Sequence, residues 1–171
     1  MRNSKAGSVF LPWLFILLMV GSLIWLLNEL NQQLGYAEGC EQRMKKIYEL
    51  LTRYEQQHGR LPLLELFPED PRRDEESLLQ VLGQFERDPD LAVCPASHEV
   101  LKEHGLTYLW NTALNQSSLK DRKEVTWVLV DIQALDDGMV GPHFGSYNIL
   151  YTDGRVERSP SPPYSLPVQA Q

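Results

Sequence analysis

The chain opens with an unbroken apolar run and only later becomes amphipathic. Val9 to Leu27, VFLPWLFILLMVGSLIWLL, carries no charge. Its length suits a helix crossing the ~30 Å hydrocarbon core of a bilayer. Further on, Cys40, Met44, Ile47, Leu51 and Tyr54 recur at helical spacing, with Lys45, Lys46, Glu49, Arg53 and Glu55 on the other side. This pattern predicts a helix that buries one stripe against a domain. Gly59 suits a left-handed cap and Pro62 cannot continue the helix, so its end is expected near His58. Gly35 and Gly39 lower helical propensity between the two blocks, and a single long helix is expected, with its place to bend there.

After the helix, Leu61 to Asp74 reads as a loop and Glu75 to Phe85 as a short helix. The apolar run Leu91–Cys94 stops at Pro95. Thr107–Trp110, Thr126–Asp131 and Tyr147–Thr152 are strand candidates, rich in β-branched and aromatic residues. In the last of these, Tyr147, Ile149 and Tyr151 share one face and Asn148, Leu150 and Thr152 the other. Asp153-Gly154 then reads as a two-residue type I′ turn, both of whose centres need positive φ, with Arg155–Arg158 returning. The expected class is α+β, a long N-terminal helix continuing onto a small antiparallel sheet. Its divisions are residues 1–8, a cytoplasmic leader; 9–27, a transmembrane helix; 28–158, an exported domain; and 159–171, a Pro-rich tail expected to be disordered.

Composition adds little to this picture, but it excludes some classes. The 171 residues suit one domain, and a net charge of -7 gives no nucleic-acid footprint. Arg2 and Lys5 precede the apolar run while Asn28 and Glu29 follow it, so the positive-inside rule leaves the N-terminus cytoplasmic. A cleaved signal peptide is the competing reading. Its apolar region would be shorter, about 7 to 15 residues, and end at an Ala-x-Ala-like site that is missing here. An uncleaved anchor is favoured.

Candidate chemistry is sparse. No nucleophile elbow, phosphate-binding Gly loop, HExxH or redox CxxC occurs, so no catalytic residue and no enzyme activity are expected. Cys40 and Cys94 fall in the exported part, which leaves two readings open: a disulfide from the helix to the middle of the domain, or two buried thiols. His58, His98 and His104 have no metal-ligand spacing relative to them. Asp131, Asp136 and Asp137 surround a Gly-containing loop that calcium could occupy, though without EF-hand spacing; a solvated acidic loop is the plainer reading. Glu65, Glu69, Asp70 and Asp74 also read as solvated. His143 stands ahead of a strand of roughly 20 Å with Asp153 beyond its far end, so the two are architecture and not a dyad. His143 is expected to hydrogen-bond in its loop, Asn148 to satisfy backbone beside the hairpin, and Trp110 and Trp127 to pack in the core.

Taken in order, several marks form a larger pattern. They are the helix bearing Cys40, Ile47 and Tyr54, Gly59-Arg60-Leu61-Pro62, Cys94-Pro95, Tyr108 with Asn111, and Asp131. His143 follows, then nine residues including Asn148, then Asp153-Gly154-Arg155-Val156. From about residue 9 to 158 the chain resembles the bacterial prepilin-type proteins defined by that His-to-Asp-Gly spacing, relatives of type IV pilins and type II secretion pseudopilins. The resemblance implies a pilin-like fold and assembly with other pilin-like subunits through the N-terminal helix at the inner membrane. It also adds weight to calcium, which some pseudopilins hold in a comparable loop. The chain departs from the prepilin pattern at its start. If Gly7 ended a leader, the fifth residue after it would be Pro12, and no Glu occurs before Glu29. A minor or atypical subunit with a retained or poorly cut leader is therefore implied. The rival reading is an anchored periplasmic module that binds a protein or glycan through acidic loops or a Trp-bearing sheet.

Overall fold

The computed structural model describes residues 10–120, 124–136 and 138–163. Helix α1, Phe10–His58, runs through Gly35 and Gly39 without a break and stops where Gly59 takes φ 76. The chain divides into two compact units, one ending at Gly35 and one beginning at Tyr36. In the first unit the helix is apolar and uncovered: Trp13, Phe15, Leu17, Ile24 and Trp25 are all exposed. Its best 18-residue window has a mean hydropathy of 1.9, which by length and composition is enough to cross a membrane.

In the second unit the expected stripe is buried. Cys40, Met44, Ile47 and Leu51 are closed from solvent, joined by Ala37 and Leu50. They pack against an antiparallel sheet of β1 (Tyr108–Trp110), β2 (Trp127–Asp131), β3 (Tyr147–Tyr151) and β4 (Val156–Ser159), in the spatial order of the sequence. Tyr54 is only half-buried, whereas Glu55, placed on the polar side by its spacing, is buried and accepts the Leu119 N–H at 3.0 Å. A fixed donor there replaces the water that the carboxylate loses.

The alternation in β3 holds. Leu150 joins the core on the α1 side with Trp110 and Leu129, while Tyr147, Ile149 and Tyr151 belong with Leu109, Trp127 and Val130 on the other face. That second face is covered too, by Leu66 and Phe67 of the long loop and by Leu101. A sheet with both faces covered buries every residue of β2. Both tryptophans are core residues, and the Trp110 indole donates to Asn115 Oδ1 at 2.7 Å.

Three local expectations need correction. The hairpin is not a two-residue type I′ turn. Gly154 N–H bonds to Tyr151 C=O, Tyr151 N–H bonds to Arg155 C=O, and of the central residues only Gly154 (φ 84) is left-handed. This is a three-residue loop, Thr152–Gly154, with the glycine in the bulge position, so β4 starts at Val156 and reaches Ser159. The helix expected over Glu75–Phe85 shrinks to α2, Leu78–Leu82, because the Ser77 side chain caps it at Gln80 N. A third helix, α3 (Glu99–His104), lies where no element was expected; it is capped by His98 and closed by Gly105 at φ 89.

Gly154 also touches α1. A Cβ there would stand 2.7 Å from Tyr48 Cε1, and the Tyr48 hydroxyl donates to Thr152 C=O at 3.0 Å. Gly154→Ala should therefore destabilise the domain by about 1 to 3 kcal/mol through a left-handed alanine and displacement of Tyr48. The urea midpoint of the solubilised chain measures this, and an unchanged midpoint would show that the loop yields freely.

Candidate functional site

The motif residues converge on a buried polar row across the α1-facing side of the sheet. Tyr108 in β1 pairs with Asp131 in β2, and the register of β2 with β3 sets Asn148 on the far side of Asp131. The Asn148 backbone N–H donates to Asp131 Oδ2 at 2.6 Å. His143 reaches the same place from the loop before β3, held by a bridge in which its N–H donates to Ser146 C=O. Its Nε2 lies 3.4 Å from Asp131 Oδ2, 3.0 Å from the Asn148 side-chain nitrogen and 3.5 Å from Cys94 Sγ.

Cys94 is bonded to Cys40, with the Cα atoms 4.9 Å apart, inside the ~7 Å limit that a bridge requires. Of the two open readings for the cysteines, the disulfide is the one realised. Thr107, just before β1, supports the Cys94 turn: its hydroxyl accepts the Cys94 N–H at 2.6 Å, and its own N–H donates to Ala92 C=O. Arg43 on α1 donates to Val93 C=O. The first turns of α1 in this unit, the Leu91–Cys94 turn and three strands thus meet at one point.

Electrostatics define what this cluster does. Burial is the largest influence on Asp131 and raises its pKa, with His143 and the Asn148 N–H pulling in the opposite direction. Burial, reinforced by the nearby Asp131 charge, holds Tyr108 well above the ordinary phenol value, so its hydroxyl stays neutral. With Nε2 protonated, His143 donates to the carboxylate; with Nδ1 protonated, Nε2 accepts from the Asn148 amide. Asp131 Oδ1, Tyr108 Oη and His143 Nδ1 are buried without a hydrogen-bond partner among the described residues, the kind of groups that an internal water satisfies. Cys40 Sγ, Cys94 Sγ and a His143 ring nitrogen lie within 4.8 Å of one another, a grouping with metal-ligand chemistry. The bridge leaves neither sulfur as a thiolate, so the oxidised pair offers no thiolate ligand. The assembly as it stands is a polar lock.

Other expected site residues lie apart from this lock. Asp153 is at the far end of β3 from His143, beside Arg155 at 3.0 Å, so the two motif ends form no dyad. Asp131 is sealed while Asp136 is exposed and accepts the Gly138 N–H at 2.8 Å. Asp137 lies outside the described residues. The calcium expectation for these three gains no support from the two that are described. The Asn148 side chain meets the His143 ring, at the opposite end of β3 from the hairpin turn, and not backbone groups beside that turn. Sequence reasoning ended a strand candidate at Asp131 but grouped its carboxylate with the acidic loop that follows, and missed its link to His143. The available signal was its position as the last residue of an apolar strand, where alternation points it at the core. In comparisons with family models, curated proteins and solved structures, nothing matches the chain.

Two outcomes follow from the lock. Removing the bridge with Cys40→Ser should lower stability by up to about 4 kcal/mol, the chain-entropy value for a separation of 54 residues. The denaturant midpoint reads this, and non-reducing peptide mapping should recover the linked pair from the parent; equal thiol labelling before and after reduction would contradict it. For Asp131, a raised folded pKa means that protonation favours the folded state. That contribution is present below the unfolded carboxyl's pKa and lost as pH rises through the folded one. Stability relative to Asp131→Asn should therefore decline from acid toward neutral pH. Parallel pH profiles for the two proteins would exclude this titration.

Proposed function

We propose that this chain is a single-pass, pseudopilin-like structural subunit of the bacterial inner membrane. Its N-terminus lies in the cytoplasm, its second unit in the periplasm, and its partners are other pilin-like subunits bound through the N-terminal helix. The assembly is of type II secretion or type IV pilus kind, and the subunit is a minor or atypical member because no Glu precedes Glu29. One observation carries the reading. A single helix has an uncovered apolar segment and an amphipathic segment buried on a four-stranded meander, which ends in the hairpin bearing Asn148 and Asp153-Gly154, with His143 in the loop before it. The disulfide fits an oxidising compartment. The proposed role is structural and includes no catalysis.

Affinity capture of the membrane-extracted chain tests assembly. Recovery of other pilin-like subunits is the expected result; recovery of unrelated partners alone would support the binding-module reading instead. Processing is tested by intact mass. The proposal expects a mature chain that retains residues 1–7, whereas a chain beginning at Ser8 with a methylated amine would make it an ordinary processed subunit.

A further inference from the structure

One surface of the second unit carries apolar side chains that neither the polar lock nor the core uses. A groove of about 500 Å³ lies between α3 and the loop before β3, walled by Val100, Leu101, Met139, Val140 and Pro142. Its rim is unusually apolar for a free surface: Val100 is 67% exposed, Val140 75%, Met139 47%, and Phe144 in the same loop 58%. Clustered apolar exposure of this kind marks a contact surface. Phe144 also holds φ 53, followed by Gly145 at φ 81. A bulky residue in the left-handed region is a strained arrangement that persists only where its surroundings enforce it. Here they do, because His143 and Ser146 bond to each other's backbone on either side and the His143 ring is fixed in the lock. The loop presents Phe144 outward on a rigid base.

The position of this rim within the unit suggests its partner. Lys102 of α3 lies 5.8 Å over the Tyr36 ring, and Pro95, beside the groove residue Ala96, closes to 3.4 Å on the Cβ position of Gly39. The groove is therefore at the Tyr36–Cys40 end of this unit's helix. Only Asn28–Gly35 separate that end in sequence from the uncharged run. As helix, this stretch rises roughly 12 Å, against a headgroup layer of ~5 to 8 Å on each side of a bilayer.

We propose that Val100, Met139, Val140 and Phe144 dock on the lipid surface of the bilayer that anchors the chain. The inference rests on the single-pass reading above. Apolar side chains beside a Tyr and a Lys suit the interface, where aromatic rings settle and a lysine meets phosphate. The Lys102–Glu99 pair at 2.9 Å and the nearby exposed Asp136 argue against a strongly anionic surface and for zwitterionic headgroups.

The test uses the full chain in phosphatidylcholine vesicles, with the native disulfide intact and one nitroxide at Val140→Cys, Phe144→Cys, Glu69→Cys or Leu23→Cys. Collision with oxygen, which concentrates in lipid, is compared with collision with a water-soluble nickel chelate. The expected result is a lipid-like ratio at Leu23 and a shift toward oxygen at Val140 and Phe144 relative to the exposed Glu69. A lipid-like Leu23 with Val140 and Phe144 matching Glu69 overturns the docking alone. Shielding of Val140 and Phe144 from both colliders also overturns it and assigns the rim to a second protein copy. A water-like Leu23 overturns the anchor reading itself, and the docking with it.

Discussion

The structure of the second unit depends on one contact, the burial of the α1 stripe on the sheet. Cys40, Met44, Ile47 and Leu51 are all closed from solvent against Trp110, Leu129 and Leu150. Burying side chains of this size stabilises by roughly 1.5 to 3 kcal/mol each, before ordering entropy is counted. A four-stranded sheet with strands of three to five residues has little core of its own. The helix supplies the missing layer, and the Cys40–Cys94 bridge fixes where along the helix the sheet attaches.

The polar row refines that attachment. Asp131 is wholly buried at the end of the inner strand β2, where an unpaired carboxylate would be strongly destabilising. It is tolerated because Asn148 N–H and His143 converge on it, and both need β3 and its preceding loop in register. A slip of one residue would send these groups to the opposite face. The lock therefore specifies the register of β2 and β3 as well as the seat of the disulfide. For the proposed subunit, a rigid head whose attachment to its helix does not drift is a mechanical requirement of assembly through that helix.

Much of this was legible along the chain because strong periodicity speaks for itself. The α1 stripe, its stop at Gly59 and the alternation of Tyr147–Tyr151 all follow from side-chain spacing, and all recur in the fold. Features set by three-dimensional proximity were less visible. Glu55 looked solvated until the Leu119 N–H supplied a buried partner. Asp153-Gly154 resembled a type I′ turn, but Tyr48 packing on Gly154 accompanies a three-residue loop with one left-handed centre. Helix α3 has six residues and no buried face of its own, so no stripe announced it. The joining of His143 to Asp131 was hidden because the two approach from different elements.

The most direct measurement of the helix-on-sheet account is native-state hydrogen exchange on the full chain, with and without reduction of the bridge. Amides of α1 from Cys40 to Leu51 should exchange in the slowest class together with β2 and β3, and reduction should speed both segments together. Fast exchange of that helical segment while β2 and β3 stay protected would show that the sheet stands without it and would contradict the account.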